Sequence, residues 1–192
     1  MSASLNLDAL RLELAVKAKN GLDFILAASL LWLSIGGLWL LPNRPAVSSL
    51  FTLMASGAML PLAWLFSKLL RTTWTIPDNP LQPLGLWLNV AQLFYFPLLF
   101  FIYARYPQHF IMTYGVITGA HFFPYAWFYH TRAYAVAAGV IAVGCVLLGL
   151  RLAPGQLYLI PVFLVVCLLG LTGALYRAYR LRLAQYTAAA GD

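Results

Sequence analysis

The sequence predicts an all-α polytopic transmembrane helical bundle of six spans, preceded by an N-terminal amphipathic helix on the membrane surface. Three observations carry that prediction. Of 192 residues, 62% are hydrophobic and only 9% charged, where a soluble domain carries roughly a quarter charged residues. The mean hydropathy is +0.82. The apolar residues also fall into runs, six of which approach the roughly 20 residues a helix needs to cross a hydrocarbon core about 30 Å thick. Soluble enzymes, disordered regulators and disulfide-stapled secreted domains are excluded on these grounds.

Residues 1–21 form the first unit, expected as a cytoplasmic amphipathic helix. In LNLDALRLELAVKAK (5–19), Leu7, Leu10 and Leu14 recur at helical spacing, and Glu13 and Lys17 stand at i,i+4, where opposite charges pair. Gly21 breaks the pattern. The competing reading makes this segment a plain extension of the first span. Residues 22–176 form the transmembrane domain, with spans at 22–41, 46–67, 84–104, 109–129, 133–150 and 156–176. Residues 177–192 form a cytoplasmic basic tail. Most connections are short and marked by proline or a charge; TIPDNPLQP (75–83) is the exception, and its prolines with Asp78 and Asn79 predict an ordered turn.

The net charge of +7 is not a nucleic-acid signal, because Lys and Arg sit at the ends of apolar runs. With six spans, one side receives Arg11, Lys17, Lys19, Lys68, Arg71, Arg132, Arg177, Arg180 and Arg182. The other receives Arg44, Arg105 and Arg151. Basic residues accumulate on the cytoplasmic side of membrane proteins, so both termini are expected in the cytoplasm. Residues 1–20, with Asp8 and Glu13 among mixed charges, do not read as a cleavable signal peptide. Cys145 and Cys167 lie inside apolar runs and read as small hydrophobes rather than as a ligand pair.

Polar groups within hydrocarbon are costly unless partnered, so each needs an explanation. Asn89 and Gln92 share one face of the third span. Tyr114, Thr118, His121 and Tyr125 form a stripe on the fourth at i, i+4, i+7 and i+11. At 1.5 Å per residue, Asn89, Gln92 and His121 fall roughly 8–12 Å below the cytoplasmic surface on antiparallel neighbours. These six residues are the candidate ligand site. The alternative makes them interhelical glue, hydrogen-bonded only to satisfy one another. Asp23, in the first turn of the first span, is the candidate charge at the cytoplasmic mouth; its structural role would be to meet the helix dipole. Gly115 and Gly119 form a GxxxG surface against which another helix can pack closely, either within the chain or from a second copy in a homo-oligomer.

Two further signals gather in the same region. Residues 94–134 hold sixteen of the 29 Phe, Trp and Tyr residues, enough for interfacial belts and for an aromatic-lined pocket. Pro61, Pro97 and Pro124 each remove a helical hydrogen bond inside a span. No HExxH, GxSxG, paired intramembrane carboxylates or phosphate-binding glycine loop occurs, and the three histidines are spread in depth. No catalytic residue, metal or cofactor is expected.

The stretches NGLDFILA (20–27), DNPLQPLG (78–85), NVAQLFY (89–95) and MTYGVITGAHFFPYAWFYHTRAY (112–134) together resemble the signature of a family of small bacterial multi-pass membrane proteins known as a domain of unknown function. The resemblance implies a bacterial inner-membrane location and transfers no catalytic residues. The leading functional reading is binding or translocation of a small solute between the third and fourth spans, with membrane lipids as surroundings. A membrane-embedded enzyme on a lipid or quinone-like substrate, with His121 as acid–base, is the first alternative. A non-catalytic structural or regulatory subunit is the second.

Overall fold

The computed structural model describes residues 6–189, and every regular element among them is helical. In chain order these are α1 (Leu7–Lys17), α2 (Leu22–Leu40), α3 (Pro45–Ser56), α4 (Met59–Leu70), α5 (Gln82–Leu93), α6 (Phe96–Arg105), α7 (Phe110–Phe128), α8 (Arg132–Arg151) and α9 (Leu159–Ala189). Short 3-10 turns precede α2, α7 and α9.

Four helical stretches are long and apolar enough to cross a membrane: Lys19–Leu40, Gln82–Arg105, Arg132–Arg151 and Pro154–Ala188. The pair α3 and α4, bent by 43°, makes a fifth if counted as one broken span. The expected six are therefore not all distinguished by length and hydropathy. The missing one is α7, and position explains it. α7 touches α3, α5, α6, α8 and α9, and about half of its residues are buried. A helix enclosed by others can carry Thr, Tyr, His and Pro because its neighbours, not lipid, receive them. The outer helices show the converse pattern. On α8, Val136, Val140, Val143, Leu147 and Leu150 form an exposed stripe at helical spacing, an apolar outer face of the kind that meets lipid or a partner.

Two expected spans are broken, each where proline dictates. Pro61 offers no N–H to the Gly57 carbonyl, nor Pro97 to the Leu93 carbonyl. At both places the backbone tightens to i−3 bonds: Gly57 and Ala58 donate to Met54 and Ala55, and Phe94 and Tyr95 donate to Ala91 and Gln92. Pro124, by contrast, lies inside an unbroken α7.

The N-terminal segment is a helix as expected, with the Asn6 side chain capping it through the Asp8 and Ala9 N–H groups. The Glu13–Lys17 pair forms at 2.6 Å. The leucine stripe, however, is only partly its buried face. Leu7 is exposed and Leu10 half-buried, while Arg11, Leu14, Ala15 and Val16 are buried. The reason is that α1 docks on protein. It packs beside α9, and the 71–81 connection reaches it through the Thr73 N–H, which donates to the Lys17 carbonyl at 3.0 Å. Asn79, almost fully enclosed, donates to the Leu10 carbonyl and to Glu13. Over its described residues the basic segment from residue 177 onward continues α9, which runs unbroken through Ala189.

Between α1 and α2 the chain turns through Lys19, Asn20 and Gly21, all at positive φ. Gly21 is needed there twice over. Its φ is +73°, and an added Cβ would stand 3.1 Å from the Tyr134 hydroxyl and 3.3 Å from Tyr129.

Candidate functional site

The site is built around α7, whose polar stripe the structure distributes among three environments. Tyr114 is buried, its ring 5.1 Å from Trp32 of α2 and 6.1 Å from Phe110, and its hydroxyl neighbours Ser56 at the end of α3. One turn on, the buried Thr118 hydroxyl donates to the Tyr114 carbonyl at 2.9 Å. His121 is half-buried and meets Tyr125 edge-on at 5.3 Å; its ring forms no hydrogen bond among the described residues. Tyr125 is buried in an aromatic cluster with Phe128, Tyr129 and Tyr134.

The facing residues lie on α5. The Asn89 amide donates to the Gly85 carbonyl of its own helix at 2.9 Å, and Gln92 is half-buried without a hydrogen bond among the described residues. Register comes from Gly85. A Cβ there would stand 2.9 Å from the Phe128 ring, so the start of α5 lies against the end of α7. Counting from those ends, Asn89 and His121 both fall about 10 Å into the bundle. The structure thus places the two helices as antiparallel neighbours, and it pairs His121 with Tyr125. Asn89 and Thr118 spend their hydrogen bonds within their own helices.

The two helix breaks add what spacing alone did not reveal. Gly57–Ala58 lies about thirteen residues before the end of α4, and Phe94–Tyr95 about twelve after the start of α5. Both therefore sit roughly 18–20 Å from the same end of the bundle, level with Tyr114. α3 touches α6 and α7, and α5 and α6 touch α7. The α5–α6 stretch is also the least enclosed: 6% of its apolar window is buried, against 61% for that of α2.

Asp23 stands apart from this group. Only 2% exposed, its carboxylate accepts the Thr72 hydroxyl at 2.7 Å, the Trp74 indole N–H at 2.6 Å and the Phe24 N–H at 3.1 Å. Beside it, the fully buried Asn20 donates to the Leu175 carbonyl at 3.2 Å and accepts from Arg182, while its own carbonyl accepts the Tyr134 hydroxyl at 2.7 Å. Arg182 also donates to the Tyr129 and His130 carbonyls at the end of α7. Asn20, Thr72, Trp74 and Arg182 were not among the residues expected here. Asn20-Gly21 is a turn signal in sequence, but the partners of a buried carboxylate some fifty residues away carry no sequence mark.

Gly115 and Gly119 are engaged within the chain. A Cβ on Gly115 would meet the Cys145 sulfur at 2.6 Å, and one on Gly119 the Ile141 side chain at 2.8 Å and the Ala142 N at 2.9 Å. That close-packing face is occupied by α8. Among the described residues, no three His, Cys, Asp or Glu side chains converge in a way that could hold a metal ion.

No curated protein and no solved structure matches the chain. A family model does match it, over residues 7–178, which takes in every helix from α1 to most of α9. The stretches noted above for their resemblance all lie inside that match, and the chain belongs to DUF7010, a family of unknown function.

Proposed function

We propose that this chain is a six-span protein of the bacterial inner membrane, with both termini in the cytoplasm, that binds or translocates a small solute between α5–α6 and α7. Its candidate contacts are Asn89, Gln92, Tyr114, Thr118, His121 and Tyr125, with Asp23 at the cytoplasmic mouth. The observation that carries this reading is the coincidence in depth of the breaks in two discontinuous helices, α3–α4 and α5–α6, which reach α7 through α3, α5 and α6. Interrupted spans at matching depth leave backbone carbonyls free to coordinate a solute, as transporters use them. Slight enclosure of α5–α6 supports it as the element that moves. His121 and Gln92, without internal hydrogen bonds, are the side chains free to greet a ligand.

Thermal unfolding in detergent against a panel of organic ammonium ions, zwitterionic amino acids, neutral sugars and aromatic acids tests the reading, at about pH 5.5 and about pH 7.5, either side of the ordinary histidine range. A ligand at a hundred times its Kd stabilises by about 2.7 kcal/mol, a readily measured shift. At least one class should raise the melting temperature of the wild type. That gain should vanish in His121→Ala and Gln92→Leu, whose own stability without solute should change little. A wild type indifferent to every class, or variants that keep the gain, would overturn the proposal.

A further inference from the structure

At the opposite end of the bundle lies a recess of about 300 Å³ between the end of α2, the start of α3 and the α8–α9 connection. Its size is at the lower end of the range for small-molecule sites, and none of the residues considered above lines it. Much of its wall is made of flat or rigid side chains. Trp39 forms one side, its ring fixed because the indole N–H donates to Thr52 of α3 at 2.9 Å. Tyr158, Leu40 and Leu41 also line it, and Pro42, Pro45 and Pro154 add rings that cannot donate a backbone hydrogen bond. Not one lining side chain is charged.

One polar group in the recess behaves unlike its counterparts. Helical Ser and Thr hydroxyls ordinarily bond back to a carbonyl one turn earlier. Here Ser29, Ser34, Ser49, Thr52, Ser56, Ser67, Thr113, Thr118, Thr172 and Thr187 all do so. Ser48, only 2% exposed and lining the recess, is the one helical serine or threonine among the described residues whose hydroxyl makes no hydrogen bond. It sits in the first turn of α3, where the Val47 and Ser48 N–H groups already donate to the Arg44 carbonyl at 2.9 and 3.2 Å and Pro45 has no N–H to offer. The Ser48 hydroxyl is therefore the donor that this turn offers to the recess.

We propose that this recess is a binding site for a flat, uncharged carbonyl compound of one or two rings, its carbonyl oxygen accepting the Ser48 hydroxyl. Rigid aromatic and proline faces match a planar ring system. The Ser48 hydroxyl, with the Asn43 amide at the rim, calls for an acceptor on the ligand. The absence of any charged lining residue disfavours an ion. The site stands at the end of the exposed apolar belt, where a molecule that partitions into a membrane arrives. It is independent of the α5–α7 reading and stands or falls separately.

Two substitutions separate binding from folding. Ser48→Ala removes a hydroxyl with no internal partner, so the protein should melt as the wild type does. Gly155→Phe fills the slot; a Cβ on Gly155 meets nothing within 4 Å, so the fold has room for it. Calorimetric titration of acetonaphthone into nanodiscs carrying the full chain, corrected against empty nanodiscs, supplies the readout. Ethylnaphthalene, lacking the carbonyl, and naphthoate, carrying a charge, are the matched controls. Acetonaphthone should bind the wild type saturably, at least about tenfold tighter than either control, consistent with a buried hydrogen bond. Ser48→Ala should weaken it by a similar factor, and Gly155→Phe should abolish it. No uptake beyond empty discs, equal binding of ethylnaphthalene, tighter binding of naphthoate, or undiminished binding by either folded variant would each overturn the proposal.

Discussion

The indole N–H of Trp74 donates to the Asp23 carboxylate at 2.6 Å across fifty-one residues of sequence. With the Thr72 hydroxyl on the same oxygen at 2.7 Å, this ties the first turn of α2 to the connection that follows α4. A buried carboxylate is costly unless its lone pairs are filled, and here three donors fill them. Asp23→Ala should therefore lower stability by about 2–3 kcal/mol, since hydrogen bonds to charged groups are worth more than neutral ones. Asp23→Asn keeps an acceptor for one donor and should cost less. Unfolding in detergent measures both; equal losses would mean that the carboxylate's charge and second lone pair contribute nothing.

Close packing of α7 on α8 depends on Gly119, where a Cβ would press on the Ala142 backbone as well as on Ile141. Backbone cannot swing aside as a side chain can. Gly119→Ala should cost about 1–3 kcal/mol, the usual range for overpacking, and Gly119→Leu more. Gly139 on α8 meets nothing within 4 Å, so Gly139→Ala should be neutral or stabilising by up to about 1 kcal/mol through helix propensity. A scan of both variants by thermal unfolding settles the contrast.

Docking of α1 should depend on pH. The Lys17 ammonium, hydrogen-bonded to Glu13 with Asn79 assisting, holds the Glu13 carboxyl below its ordinary value of 4.5, and Glu13 in turn raises Lys17 above 10.5. A lowered carboxyl contributes stability that is complete above its unfolded value and lost as pH falls through its folded one. A raised ammonium contributes stability that is complete below its unfolded value and lost as pH rises through its folded one. The helix should thus hold between about 4.5 and 10.5 and loosen on either side. Amide exchange across Leu7–Lys17 should quicken below that window, and Glu13→Gln should remove the acid dependence.

Topology is open to a direct measurement. If both termini face the cytoplasm, a reporter active only in the periplasm should be silent when fused at Ala188. It should signal when inserted in the 42–45 connection. The reverse pattern would overturn the proposed orientation.

Composition and apolar runs were enough to read an all-helical chain with helices able to cross a membrane, because hydrocarbon tolerates little else. Local rules read equally well from the chain: the break at Gly21, the ordered 75–83 turn, the Glu13–Lys17 pair, and proline as the place where α3–α4 and α5–α6 part. Each depends on residues within a turn or two of one another. What needed tertiary structure were relations among distant residues and the question of which face meets lipid. Hydropathy alone does not distinguish α7 as a span, since its polar residues are admissible only because other helices surround it. The leucine stripe of α1 suggested a membrane-facing helix, yet α9 and the 71–81 connection dock on a face that takes in Leu14 with Arg11, Ala15 and Val16 and leaves Leu7 exposed. The partners of Asp23 and Asn20 have no periodicity to betray them. Nor does periodicity distinguish Ser48 from the other helical hydroxyls; only the packing of α2, α3 and the α8–α9 connection leaves it facing a recess.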